Sequence, residues 1–241
     1  MKEISDILWA ERTREEIPSW AARGAVVIVP IGSVEQHGLH LPLDTDDRTA
    51  EWVARRAACL AEDVPVLVTP LIPYGISPHH MMFPGTISLR VETLLRVLED
   101  ICQSLVAHGF ERILILSGHG GNGSTINAAA LELRHRLDRS IQALCWFDLV
   151  PQAMEEVRRG PAVGIGHSGE LETSTILALT PESVRQDKLR VVPGITDDPS
   201  LASAAKGEHI LQAAAEAVAR LVREMAASPG RNMVGIRTVT R

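Results

Sequence analysis

Cysteine is sparse in this chain. Three thiols, Cys59, Cys102 and Cys145, lie far apart and are odd in number. That argues against a disulfide framework and suits a reducing compartment, with all three read as buried structural groups. No apolar run approaches the ~20 residues needed to span a bilayer. The opening Met1-Lys2-Glu3-Ile4-Ser5-Asp6 also lacks the basic-then-apolar order of a signal peptide. A cytoplasmic location away from membranes is the expectation. Concentrated positive charge is missing too: 24 basic residues are scattered against 30 acidic ones, for a formal net charge of -6. Neither nucleic acid nor an anionic surface is indicated as a partner, and a small uncharged or cationic ligand fits better. The chain has no GxSxG elbow and no cysteine in a nucleophile-like setting, so covalent serine or thiol catalysis is poorly supported. Internal repeats and low-complexity linkers are likewise absent.

What is present is a regular alternation of buried strands and amphipathic helices. AVVIVPI at 25–31, VPVLVTPLI at 64–72, Arg112 to Leu116 and Ile141 to Phe147 read as strands. Helical spacing runs from Asp46 and Asp47, one of which is expected to cap that helix, through Ala61. Further helices are expected over 91–108, 122–136, from near His167 to Leu179, and from Leu201 to Ala227. With 241 residues, 45% hydrophobic, the chain is read as one domain over 1–241. Its class is α/β, a three-layer α/β/α sandwich around a mostly parallel central sheet. Chemistry in such folds gathers on the loops outside the carboxyl ends of the strands.

Three of those loops carry unusual residues. IGSVEQHGLHLPLDTDD places Glu35, His37, His40, Asp44, Asp46 and Asp47 after the first strand. This mixture of carboxylate and imidazole suits zinc, manganese or iron. The bland alternative is a polar loop whose acids cap turns and the next helix. In RILILSGHGGNGST, His119 stands directly after a buried run among Gly118, Gly120 and Gly121, and so in a confined polar space. A phosphate cradle is the weaker reading there, since the loop has no lysine. GIGHSGELETS brings His167, Glu170 and Glu172 to a helix start. His167 and Glu170, three apart, would share a face, and either glutamate could reach a metal depending on where the helix begins. His79 and His80, in YGISPHHMMF, could wall a pocket or belong to an ordinary loop. Among the tryptophans only Trp146, at a strand end, is a pocket candidate.

Together GSVEQHGLHLPLDTD, SGHGGN and HSGELETS resemble the creatininase (creatinine amidohydrolase) family, with the likeness extending through YGISPHHMMFPGTISL and GITDDPSLASAAKG. The resemblance implies the α/β/α fold and a homo-oligomer, commonly a hexamer. It also implies one or two divalent ions (Zn, Mn or Fe) held by Glu35, His37, Asp46 and His119. Asp46 would bridge, with Glu35 and His119 completing one site and His37 helping to hold the other. True creatininases carry a glutamate two residues after the second motif's histidine, where this chain has Gly121. Glu172 is expected to supply the missing carboxylate, with Glu170 as runner-up. The departure counts against creatinine itself as substrate, and relatives with an SGHGGN-like motif act on formamide-type pyrimidines, on a peptide or on sugar-derived lactones. The expected function is a hydrolase in which metal-activated water opens an amide-like C–N bond of a small molecule and His167 relays the proton. A metal-binding regulatory protein without turnover is the reading from a different class.

Overall fold

Runs of β-branched and aliphatic residues build a sheet that is covered on both faces. The computed structural model describes residues 3–230, so the ends of the expected 1–241 domain lie outside the described residues. In chain order the elements are α1 (Ile4–Ile7), α2 (Ile17–Ala22), β1 (Val26–Ile31), α3 (Thr45–Leu60), β2 (Val66–Val68) and α4 (Val91–Ala107). There follow β3 (Arg112–Ser117), α5 (Gly123–Leu137), β4 (Ser140–Cys145), α6 (Pro151–Val157), α7 (Glu170–Leu179) and α8 (Ala204–Ala227). The four strands among the described residues lie in the order β2-β1-β3-β4, and all pairs are parallel.

Alternation along the strands divides the core in two. Val26, Ile28, Leu114 and Leu116 face one layer, packing with Val53 of α3, Leu171 of α7 and Ile210 and Val218 of α8. Val27, Val29, Ile31, Ile113 and Ile115 face the other, against Leu94 and Leu98 of α4 and Ile126 and Leu133 of α5. This is the three-layer sandwich the sequence predicts. Among the described residues, no helix is long and apolar enough to cross a membrane. All three cysteines are buried thiols.

Local departures from expectation have physical causes. β2 stops at Val68 instead of continuing to residue 72; Pro70 has no N–H for the ladder, and a single bridge from Ile31 to Ile72 replaces the pairing. Neither Asp46 nor Asp47 caps α3: the N-cap is Asp44, without a side-chain cap, and both other acids lie in the first helical turn. α7 begins at Glu170, not near His167, because Gly166 (φ 76°) and Ser168 (φ 53°) adopt left-handed conformations that a right-handed helix excludes. α8 starts at Ala204, where the hydroxyl of Ser203 accepts from the Lys206 amide.

The strand order makes β1 the switch point. The chain leaves β1 toward β2 on one side and returns to β3 on the other, so the loops after β1 and β3 diverge and leave a crevice at their carboxyl ends. α3 covers one face of the sheet and α5 the other.

Candidate metal centre

Two glycines set the geometry of that crevice. A Cβ on Gly118, just past β3, would lie 2.2 Å from the carbonyl oxygen of Asp46, and one on Gly32, just past β1, would lie 2.7 Å from the Cα of Asp47. Only bare backbone lets the first turn of α3 rest on both strand ends. Asp46, buried, thereby enters the crevice between the two loops. Asn122 fastens the surroundings: its Oδ1 accepts from the Ile76 amide at 2.9 Å and its Nδ2 donates to the Gly32 carbonyl at 3.0 Å.

Five of the residues expected at a metal come together here. His37 Nε2 is 3.4 Å from Asp46 Oδ1 and 3.5 Å from Glu172 Oε2. His119 Nδ1 is 3.1 Å from Asp46 Oδ2, and its Nε2 is 3.4 Å from Glu35 Oε2. The two oxygens of Asp46 thus face different histidines, with Glu172 at one pole and Glu35 at the other. None of these approaches has hydrogen-bond alignment. Both oxygens of Glu35, Nε2 of His37 and Oδ2 of Asp46 are buried without a hydrogen-bond partner.

The outer hydrogen bonds explain why. His37 Nδ1 donates to the Glu35 carbonyl at 3.1 Å, and His119 Nε2 to the Ile76 carbonyl at 3.0 Å. A neutral imidazole holding its proton on that side presents a lone pair on the other, from His37 toward Asp46 and Glu172 and from His119 toward Asp46, whose oxygens are themselves acceptors, while Glu35 lies on the protonated side of His119. Acceptors converging on acceptors require positive charge between them. Histidines donating outward to backbone carbonyls are also the usual supporting arrangement of metal ligands.

The electrostatics agree. Burial, reinforced by Asp46, pushes the Glu35 carboxyl up to about 7. Burial opposes charging of His37 and His119, but the surrounding carboxylates outweigh it, raising His37 and holding His119 at about 9. Asp46 is itself lowered: burial raises it, and the two histidines overcome that. The pocket is short of positive charge, and protons on histidine or a cation can meet that need.

His167 also arrives at the site, from the loop before α7 and not from a helix face. Its Nδ1 is 3.4 Å from Glu35 Oε1, and burial lowers it to about 4, leaving the ring neutral. Gln36 holds it in place. The amide nitrogen of Gln36 reaches the Gly194 carbonyl at 2.6 Å, His80 Nδ1 at 3.0 Å and His167 Nε2 at 2.9 Å, while His167 Nε2 lies 2.9 Å from the Gln36 carbonyl. Three of these are satisfied when the Gln36 side chain donates to Gly194 and His80, and His167 donates from Nε2 to the Gln36 main-chain carbonyl; the approach of the two side-chain nitrogens is then a contact and not a bond. His167 then keeps a lone pair on Nδ1, facing the site.

Glu170, the runner-up ligand, is excluded from the centre. Its carboxylate is bonded to Lys206 and accepts from the amides of Arg159 at 2.9 Å and Gly160 at 2.6 Å. From the first loop, His40 bonds Thr173 at 2.9 Å, Asp44 pairs with Arg48 at 2.8 Å, and Asp47 packs at Gly32. Trp146 is sealed in the core, and its neighbour Phe147 lines the cavity instead. Sequence reasoning under-rated His79, which forms one candidate ligand group with Glu35 and His119, and passed over Gln36. The pair His79-His80 was the available signal for the former. The loop GHGGNG also has the GxGxxG spacing of a dinucleotide fingerprint. Here the Gly118 amide donates to Ile31 at 2.9 Å, and a phosphate would face Glu35 and Asp46.

A family model described as creatinine amidohydrolase matches residues 10–222. The chain belongs to the creatininase family. It is 32% identical over 246 residues to the mycofactocin precursor peptide peptidase of Mycobacterium tuberculosis (strain CDC 1551 / Oshkosh), covering 90% of this chain and 91% of that protein. To the creatinine amidohydrolase of Pseudomonas putida it is 30% identical over 256 residues, covering 92% and 96%. Among solved structures, the manganese form of creatininase superposes with a TM-score of 0.76 at 29% identity, covering 91% of this chain and 98% of that one. A mutant creatininase of Zn-Zn type gives 0.75 at 30%, covering 93% and 98%. As a creatininase-family member the protein is a hydrolase. The position where true creatininases carry glutamate is closed here: a Cβ on Gly121 would lie 2.3 Å from His119 Nε2 and 2.5 Å from the Ile76 carbonyl.

Proposed function

We propose that this creatininase-family hydrolase opens an amide-like C–N bond, of the cyclic amide or formamide type, in a small molecule, with one or two zinc, manganese or iron ions at the centre described above. The observation that carries the reading is the convergence of unpartnered acceptor atoms from Glu35, His37 and Asp46 in a buried pocket. A cluster of this composition without a cation would place repelling groups together at a desolvation cost. His119 and Glu35 would hold one ion and His37 and Glu172 the other, with Asp46 shared. His79 stands within reach of the first pole. When bound, such ions supply Lewis acidity, polarising a carbonyl and acidifying water near neutral pH.

The chain's own residues do the rest. His167, neutral and with Nδ1 directed inward, accepts a proton from the attacking water and delivers it to the leaving nitrogen. The main-chain carbonyl of Gln36 keeps that ring in the tautomer the transfer needs. A proton carrier beside the ligand set favours an enzyme over a closed regulatory site. The kinship with a peptide peptidase and a cavity of about 720 Å³ favour, as a second reading, cleavage of a C–N bond in a short peptide.

The test is elemental analysis with turnover assays on the parent, Asp46→Asn and His167→Ala. The parent is expected to hold about one to two equivalents of transition metal, and Asp46→Asn to lose both metal and activity. His167→Ala should keep its metal while turnover falls by roughly 10²–10⁴-fold. Full metal content in Asp46→Asn contradicts the bridging role, and full activity in His167→Ala removes it from the mechanism.

A further inference from the structure

The cavity above the metal centre is larger than a small ring needs and is lined in a one-sided way. Its volume is about 720 Å³; at about 30 Å³ per water this is room for on the order of twenty waters. The floor is formed by Glu35, His119, Glu172 and His167, and the walls include Phe147, Met154, Val163, Ile165 and Ile195. Phe147, Met154 and Ile165 are buried, and Val163, 93% exposed, stands at the mouth. Among the described residues, no lysine or arginine lines it.

Nearby basic groups are committed to the framework. Arg158 clamps the carbonyls of Ala162 and Gly164, fixing the loop that carries Val163 and Ile165. Lys206 is held by Glu170 and by the Leu201 carbonyl at 2.7 Å. At the floor, the carboxylates of Glu35, Asp46 and Glu172 largely offset the charge of the cations they would hold. Apart from these, the charged side chain on the lining is Asp148, at the rim.

We infer that the substrate is an amide whose remainder is apolar and carries no phosphate, lying along the Phe147, Met154 and Ile165 wall, and that any charge it bears is positive and faces Asp148. This rests on the metal-hydrolase reading and narrows it. Apolar walls reward burial of hydrocarbon, while a phosphate here would be desolvated beside a carboxylate with no cationic side chain to receive it.

Four hydroxamates test the inference on protein loaded with manganese, with affinities read by titration calorimetry. All carry the same metal-binding head: acetohydroxamate as reference, and chains of equal length ending in phenyl, ammonium or phosphonate. The phenyl probe is expected to bind at least tenfold more tightly than acetohydroxamate, and the phosphonate at least tenfold more weakly than the ammonium. Asp148→Asn should narrow that last gap by about threefold, as suits a solvent-exposed rim charge. Affinities that ignore the tail, or a phosphonate that binds tightest, overturn the inference while leaving the metal centre standing. Failure of all four probes overturns the metal centre and this inference with it.

Discussion

Glu35 and Glu170 are both fully buried, yet their surroundings are opposite. Glu170 has a lysine and two backbone amides around its carboxylate; Glu35 has both oxygens unpartnered and three histidines within 3.7 Å. One acid is completed by the fold and the other is left for something the fold does not supply. Burial alone therefore says little about the role of an acidic residue, and the partner set separates framework from chemistry.

The sharpest way to break this contrast is to neutralise each acid or its partner. Glu35→Gln should lose metal and lower kcat/KM by at least ~100-fold. In chelator-treated protein the same change should alter stability by no more than about 1 kcal/mol, because the burial cost of the carboxylate and its attraction to the neighbouring histidines are removed together; a strongly destabilised variant in denaturant unfolding would make Glu35 structural after all. Lys206→Met tests the other side. It strands a buried carboxylate and should cost about 3–5 kcal/mol in denaturant unfolding, while elemental analysis finds the parent metal content.

A smaller effect probes the link between framework and chemistry. Gln36→Leu keeps every ligand and the main-chain carbonyl to which His167 donates, but removes the side-chain bonds to Gly194 and His80 that brace the loops around the ring, so turnover should drop by roughly 10-fold with metal content unchanged. If kcat is untouched, the Gln36 side chain plays no part in holding His167. The smallest effect is on acid stability. Glu170 is lowered despite the cost of burial, through Lys206 and the two amides. Its contribution is therefore fully present above the unfolded glutamate value of about 4.3 and is lost as pH falls through the folded value. The Tm gap between the parent and Lys206→Met should be constant near neutrality and close on the acid side; a gap that does not change with pH would detach Glu170 from the pair.

Most of the fold was legible because it depends on periodicity. The β1 and β3 runs and the spacing of α3, α4, α5 and α8 carry their burial pattern in the order of residues. The start of α7 was not legible, since the left-handed Ser168 is imposed by packing and serine gives no sign of it. Glu35, His37, Asp46 and His119 came from resemblance to a family motif, and the choice of Glu172 over Glu170 agrees with the place each side chain takes. Gln36 and Asn122 escaped notice, and His79 was read only as a possible pocket wall, because their roles exist only across distant loops: Gln36 meets His167 and Gly194 far along the chain. Confusing Trp146 with Phe147 was an error of one position, and one position at a strand end moves a ring from core to cavity.

Gly32 and Gly118 have a consequence for anyone mapping this protein by mutation. The Gly32 carbonyl is taken by Asn122 and the Gly118 amide by Ile31, and the spacing between the strand ends and the first turn of α3 is fixed by the absence of their side chains. Alanine at either position acts as a wedge, spreading the ligands apart without touching one. In a loss-of-function screen these two positions will score with Asp46 and His119. A list of essential residues from such a screen would mix the ruler with the things it measures, and metal affinity at graded side-chain size would tell them apart.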